Sequence, residues 1–268
     1  MNEWNDILDA VGDYLAYRHE CGDRSLSLPP ESILPSPAQL AAEAAARTRP
    51  AAPAPEPLTL TASPAAPGEA ADSPAARRAA LERLESDLQS CSRCPLAATR
   101  TKVVPGQGNP ERPDVLFIGE APGHDEDQQG LAFVGAAGQL LTKMIAAMGY
   151  TRDEVFIANI CKCRPPGNRD PKPEEAAACI GYLNGQIDLI RPKTIVTLGR
   201  IAAQILLSSS SGLSRMRGRW FAYRGIPVMP TFHPAYLLRY PVAKRDAWED
   251  LKKVMARLGR APAPPAAR

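Results

Sequence analysis

The sequence predicts an α/β fold, a three-layer α/β/α sandwich around a four-stranded, mostly parallel sheet. Three observations carry that expectation. Short apolar runs at 115–118, 155–160, 194–198 and 228–232 have the length of strands buried on both faces. Helical periodicity fills 138–148, 174–190 and 200–207 between them and 244–258 after the last. Strands that alternate with helices require right-handed crossovers, which make the strands parallel and place helices on both faces.

Residues 3–20 carry Trp4, Ile7, Leu8, Val11, Tyr14 and Leu15 at helical spacing among acidic residues. Residues 1–24 are therefore read as one amphipathic helix, which either caps the domain or docks on a protein partner. Residues 25–80 hold 11 of the 28 prolines and eighteen alanines, with almost no aromatic or β-branched residues. Such a segment buries too little apolar surface to offset its ordering entropy and is read as a disordered linker. Order returns with a helix near 75–90, where Leu81, Leu84 and Leu88 recur at three and four residues. The folded domain is assigned to 81–258, and 259–268 to a disordered tail.

Charge divides along the same line. Residues 1–80 hold 6 Lys and Arg against 11 Asp and Glu, whereas residues 81–268 hold 26 against 18. A basic folded part with an acidic extension suits a polyanionic partner, nucleic acid first. No apolar run reaches the roughly eighteen residues of a membrane span, and the acidic start does not read as a secretory signal, so a cytoplasmic, nucleoid-associated monomer with no membrane contact is expected.

The first strand runs into Gly119-Glu120-Ala121-Pro122-Gly123, a turn that ends it abruptly and brings the backbone close to a ligand. Ligands of open α/β sheets bind at the carboxyl ends of strands, which places Gly119 and Glu120 for chemistry. The acidic run Asp125, Glu126, Asp127 reads in part as a charged loop.

Four cysteines form a C-x2-C pair (Cys91, Cys94), then Cys163 and, after fifteen intervening residues, Cys179. Two ligands from a tight turn and two from a distant segment close a tetrahedral site, and zinc and a [4Fe–4S] cluster both accept four thiolates. In Cys161-Lys162-Cys163 both thiols lie on one face of an extended chain, so either satisfies the third position. The loop that follows is stiffened by four prolines, and its Arg164, Arg169 and Lys172 suit phosphates.

GEAPGHDED, the following FVGAAGQLL, NICKCRPPGNRDPKPEEAAAC and HPAYLLR together resemble the family 4 uracil-DNA glycosylases, across roughly 81–258. The resemblance implies a catalytic Glu120 that places or activates water, and a His233 that hydrogen-bonds uracil as negative charge develops on it. It implies that Phe133 stacks on the flipped base, with Gly119 beside it, and that Asn159 reads its amide edge. Cys91, Cys94, Cys163 and Cys179 would hold a [4Fe–4S] cluster, with Cys161 a bystander. Leu237, Leu238 and Arg239 are read as DNA contacts, the leucines as a minor-groove wedge or, equally, as the start of a helix. His124 and Leu131-Ala132 depart from the family pattern beside the pocket. The reaction implied is hydrolysis of the N-glycosidic bond of uracil in single- or double-stranded DNA as part of base-excision repair. No lysine in the motifs offers a Schiff base, so an abasic site without strand cleavage is expected. The alternatives are a non-catalytic iron–sulfur or zinc nucleic-acid-binding module associated with a DNA polymerase, and an electron carrier.

Overall fold

The computed structural model describes residues 73–261. The helix expected in 1–24, most of the linker and the last seven residues lie outside the described residues.

The first helix, α1 (Pro74–Gln89), starts inside the segment assigned to the linker. Ser73 caps it, its Oγ accepting from the Ala76 N–H at 3.2 Å, and Pro74 occupies the first turn, where a missing N–H costs nothing. The helix expected near 75–90 is thus present, and the boundary drawn at 81 cuts through it. At the other end Arg260 donates to the Gly149 carbonyl at 3.2 Å and stacks over Tyr150 at 4.0 Å, so the packed region also outruns 258.

After α1 the chain forms β1 (Gln107–Gly108), β2 (Val115–Gly119), α2 (His124–Gln129), α3 (Ala136–Ala147) and β3 (Phe156–Asn159). It continues through α4 (Pro173–Ile190), β4 (Thr194–Leu198), α5 (Arg200–Leu207) and α6 (Leu213–Met216). It closes with β5 (Phe221–Tyr223), β6 (Ile226–Thr231), α7 (Pro234–Arg239) and α8 (Lys244–Arg257). Among the described residues the sheet has six strands, in the order β1-β3-β2-β4-β6-β5. Its central four are parallel as expected, and the edges β1 and β5 are antiparallel additions. The four-strand expectation missed both edges for physical reasons. A two-residue strand has no pattern to read, and β5 turns into β6 through Arg224-Gly225, both left-handed (φ 50° and 79°), without the usual Asn-Gly signature.

Alternate residues of β2 feed opposite layers. Leu116 and Ile118 pack with Leu81 and Leu88 of α1 and Leu183 and Ile187 of α4. Val115 and Phe117 pack with Leu141 and Ile145 of α3 and Leu251 and Val254 of α8. Period-two alternation on a strand buried on both faces is why the run is apolar throughout.

Candidate active site

Chain order fixes where the site lies. From β2 the chain crosses to β3 on one side and later returns to β4 on the other, so a crevice opens at the carboxyl end of β2. In the parallel register Gly119 stands opposite Asn159, the last residues of β2 and β3. A cavity of about 480 Å³ opens there, lined by Glu120, Phe133, Asn159, Asp170, His233 and Arg239 among others.

Phe133 and Asn159 are brought together across Gly119. A Cβ on Gly119 would lie 2.3 Å from Asn159 Oδ1 and 2.5 Å from Phe133 Cζ, so only glycine leaves the slot open. Phe133 is buried and its φ is +53°, a conformation that costs a non-glycine residue on the order of 1–3 kcal/mol and persists only where the surroundings enforce it. Gly138 makes room, since a Cβ there would meet the Phe133 carbonyl oxygen at 1.9 Å. Arg152 donates to the Ala132 carbonyl at 2.7 Å from the other side. Asn159 is 2% exposed, yet its Oδ1 accepts no hydrogen bond from the protein. A buried acceptor left unpaired costs about 1–3 kcal/mol, so it marks the place where a ligand donor belongs.

His233 follows β6 and caps α7, its Nδ1 accepting from the Ala235 N–H at 3.1 Å. Burial, helped by the positive charge of Arg239, pulls the imidazole down to about 4. The ring is therefore neutral at physiological pH with its proton on Nε2, a donor rather than a cation. Its centroid lies 5.7 Å from that of Phe133, and Gly199 (φ +91°) allows the approach, a Cβ there falling 3.0 Å from His233 Cβ. The Glu120 carboxyl is pushed up to about 7, chiefly by burial and then by Asp170, while Arg200 opposes the rise. Arg200 and Asp170 pair at 3.0 Å.

Other expected contacts are redistributed. Leu237, expected at the DNA, is 1% exposed and part of the core, whereas Leu238 is 44% exposed. The segment is the helix α7, and neighbouring residues on a helix point to different sides. Arg239 is exposed at the cavity. Arg169 is not a free phosphate contact. Its guanidinium grips buried Glu175 through both nitrogens, at 2.8 and 2.6 Å, and holds that carboxyl down near 2. Arg164 donates to Asn168 Oδ1 at 2.7 Å and lies 3.3 Å from His124 Nδ1.

The sequence reading also missed two residues. Asp127 is buried and accepts from the Thr101 N–H at 2.8 Å. Glu126 binds three backbone N–H groups, although only its place three residues after a glycine hinted at a cap.

The thiols of Cys91, Cys94, Cys163 and Cys179 share one region with Cys161, between the end of α1, the loop after β3 and α4. Among the described residues no group of three or more His, Cys, Asp or Glu side chains stands close enough to hold a metal ion. Cys161 and Cys179 face each other, an interaction that lowers the Cys179 thiol and raises that of Cys161. Arg100 donates to Cys163 Sγ and the Lys162 N–H to Cys179 Sγ, each at 3.3 Å. A set of thiols faced by N–H donors has the chemistry of an iron–sulfur ligand shell.

A cavity lined by an aromatic ring and a buried amide with an open acceptor suits a flat heterocycle that carries a hydrogen-bond donor. The family model described as the uracil DNA glycosylase superfamily matches residues 105–252. A type-4 uracil-DNA glycosylase of Sulfurisphaera tokodaii is 45% identical over 183 residues, 65% of this chain and 83% of that protein. One from Archaeoglobus fulgidus is 43% identical over 182 residues, 65% of this chain and 91% of that protein. The chain belongs to the uracil-DNA glycosylase superfamily and, within it, to the type-4 enzymes. No helix among the described residues is long and apolar enough to cross a membrane.

Proposed function

We propose that this chain hydrolyses the N-glycosidic bond of uracil flipped out of DNA, releasing the base and leaving an abasic site for base-excision repair in the cytoplasm. One observation carries the assignment of the slot, the buried, unpaired Asn159 Oδ1 beside the Phe133 ring across Gly119. Uracil offers N3–H to that oxygen and O4 to the amide NH2. Cytosine presents the reverse pattern and leaves buried groups unpaired, a penalty of the kind that separates substrates by about 10⁴-fold. Phe133 stacks on any base and supplies binding rather than choice.

The C1′–N1 bond breaks with its electron pair leaving on uracil. His233 donates from Nε2–H to the charge developing on the base, a single-donor effect worth about 3 kcal/mol. Its low pKa keeps it a neutral donor and avoids desolvating a cation. Glu120, ionised, orients water toward C1′ and accepts its proton, and a carboxyl near 7 is matched to that task. Leu238 takes the wedge role in a duplex, with Arg239 beside the backbone.

Cys91, Cys94, Cys163 and Cys179 would hold the [4Fe–4S] cluster, which when bound supplies a structural cross-link between α1, the loop after β3 and α4. No step of hydrolysis passes through it, because none of these cysteines lines the cavity.

The test is an end-labelled oligonucleotide with one uracil, incubated with the protein and EDTA and then treated with alkali. Cleavage at the uracil only after alkali is expected. Intact DNA from correctly folded protein would overturn the assignment, and strand scission without alkali would overturn the monofunctional reading.

A further inference from the structure

We infer that Glu126 is a positioning residue that ties the turn carrying Glu120 to the loop carrying Phe133, and so sets where the stacked base sits relative to the attacking water. The inference rests on the glycosylase reading above. Glu126 lies on the short helix α2, and its side chain is buried at the cavity wall. Oε2 accepts from the Gly123 N–H at 3.1 Å, the last residue of the Glu120 turn. Oε1 accepts from the Val134 N–H at 2.8 Å and the Gly135 N–H at 3.0 Å, the two residues that follow Phe133.

A helix cap accounts for the first bond only. The other two leave the helix and clamp a loop whose Phe133 holds a strained φ of +53°. That strain needs enforcement from both sides. Arg152 holds the carbonyl of Ala132 before Phe133, and Glu126 holds the amides after it. The fit is tight at the Glu120 turn, since a Cβ on Gly123 would fall 2.8 Å from Glu126 Oε2. One carboxylate with three charge-assisted bonds therefore fixes the distance between two catalytic loops, and misplacement by about 1 Å can cost 10²-fold in rate.

A double-mutant cycle on the full chain tests this, with single-turnover excision of uracil from an oligonucleotide as readout. In the wild-type background Phe133→Ala should lower the rate by about 10²-fold, and in the Glu126→Ala background by only about threefold or less, because the ring is already out of place. Glu126→Gln keeps one oxygen for the Phe133 loop and loses the bond to Gly123, so it should recover about tenfold over Glu126→Ala. Should Glu126→Ala fail to fold, the same cycle is run on Glu126→Gln. Purely multiplicative effects would mean that Glu126 only stabilises the fold and would overturn the inference. An inactive wild type would instead sink the glycosylase reading, so the two failures are distinct.

Discussion

The cavity and the thiol region take residues from the same segment after β3, yet they satisfy their polar groups in opposite ways. Asn159 closes the cavity with an oxygen that finds no partner in the protein. Two and four residues on, Cys161 and Cys163 enter a region whose sulfurs and N–H groups bond to one another. Fully buried Lys162 there donates to Gln186 Oε1 at 2.6 Å, and Gln186 in turn donates to the Pro105 carbonyl at 2.9 Å. Donors of the fold face thiols there, as suits a region that would carry a structural cross-link. A region with one buried acceptor left open is built for something that arrives from outside.

The largest expected effect separates these two regions. Asn159→Ala should lower kcat/KM for uracil DNA by on the order of 10³-fold or more while leaving the thermal midpoint close to wild type. Cys179→Ala should do the reverse, lowering solubility and thermal midpoint while the rate per folded molecule holds. A stable, well-folded but inactive Cys179→Ala would break the comparison, and the paired measurements are single-turnover excision and thermal melting.

The next effect sharpens the cavity side. Glu120 must be ionised to work, and its carboxyl sits near 7, so kcat/KM should rise about tenfold per pH unit up to that point and then level. His233, near 4, stays neutral throughout and adds no limb. Glu120→Gln should lose both the rate and the acid limb, and a limb that survives in this variant would reassign it.

A smaller contrast lies within α7. Leu237→Ala should destabilise the domain by about 2–5 kcal/mol, as core truncations do. Leu238→Ala should leave stability within about 0.5 kcal/mol and slow excision from duplex more than from single-stranded DNA. Equal loss on both substrates would remove the wedge role.

The smallest effect concerns acid stability. Arg169 depresses the folded pKa of Glu175 to about 2, below its ordinary 4.5. A depressed carboxylate contributes stability above its unfolded pKa and loses it as pH falls through the folded one. The wild-type thermal midpoint should therefore drop more steeply than that of Glu175→Gln between about pH 5 and 2. Parallel curves would show that the pair contributes nothing there.

Much of this was legible from residues alone, because burial on both faces writes itself into strand sequence. β4 and α5 stand at 194–198 and 200–207 as their patterns indicated, and the order of elements fixed the crevice at Gly119. Glu120, Phe133, Asn159 and His233, singled out by the family resemblance, line one cavity. The edge strands, the burial of Leu237 and the capture of Arg169 by Glu175 were not legible, since each depends on what lies across space from a residue that looks ordinary in its own neighbourhood. Glu126 is the clearest case. In the run Asp125, Glu126, Asp127 the three acids are chemically alike, and only the tertiary structure decided which one holds two loops together, because a carboxylate's role is set by the N–H groups that the fold aims at it.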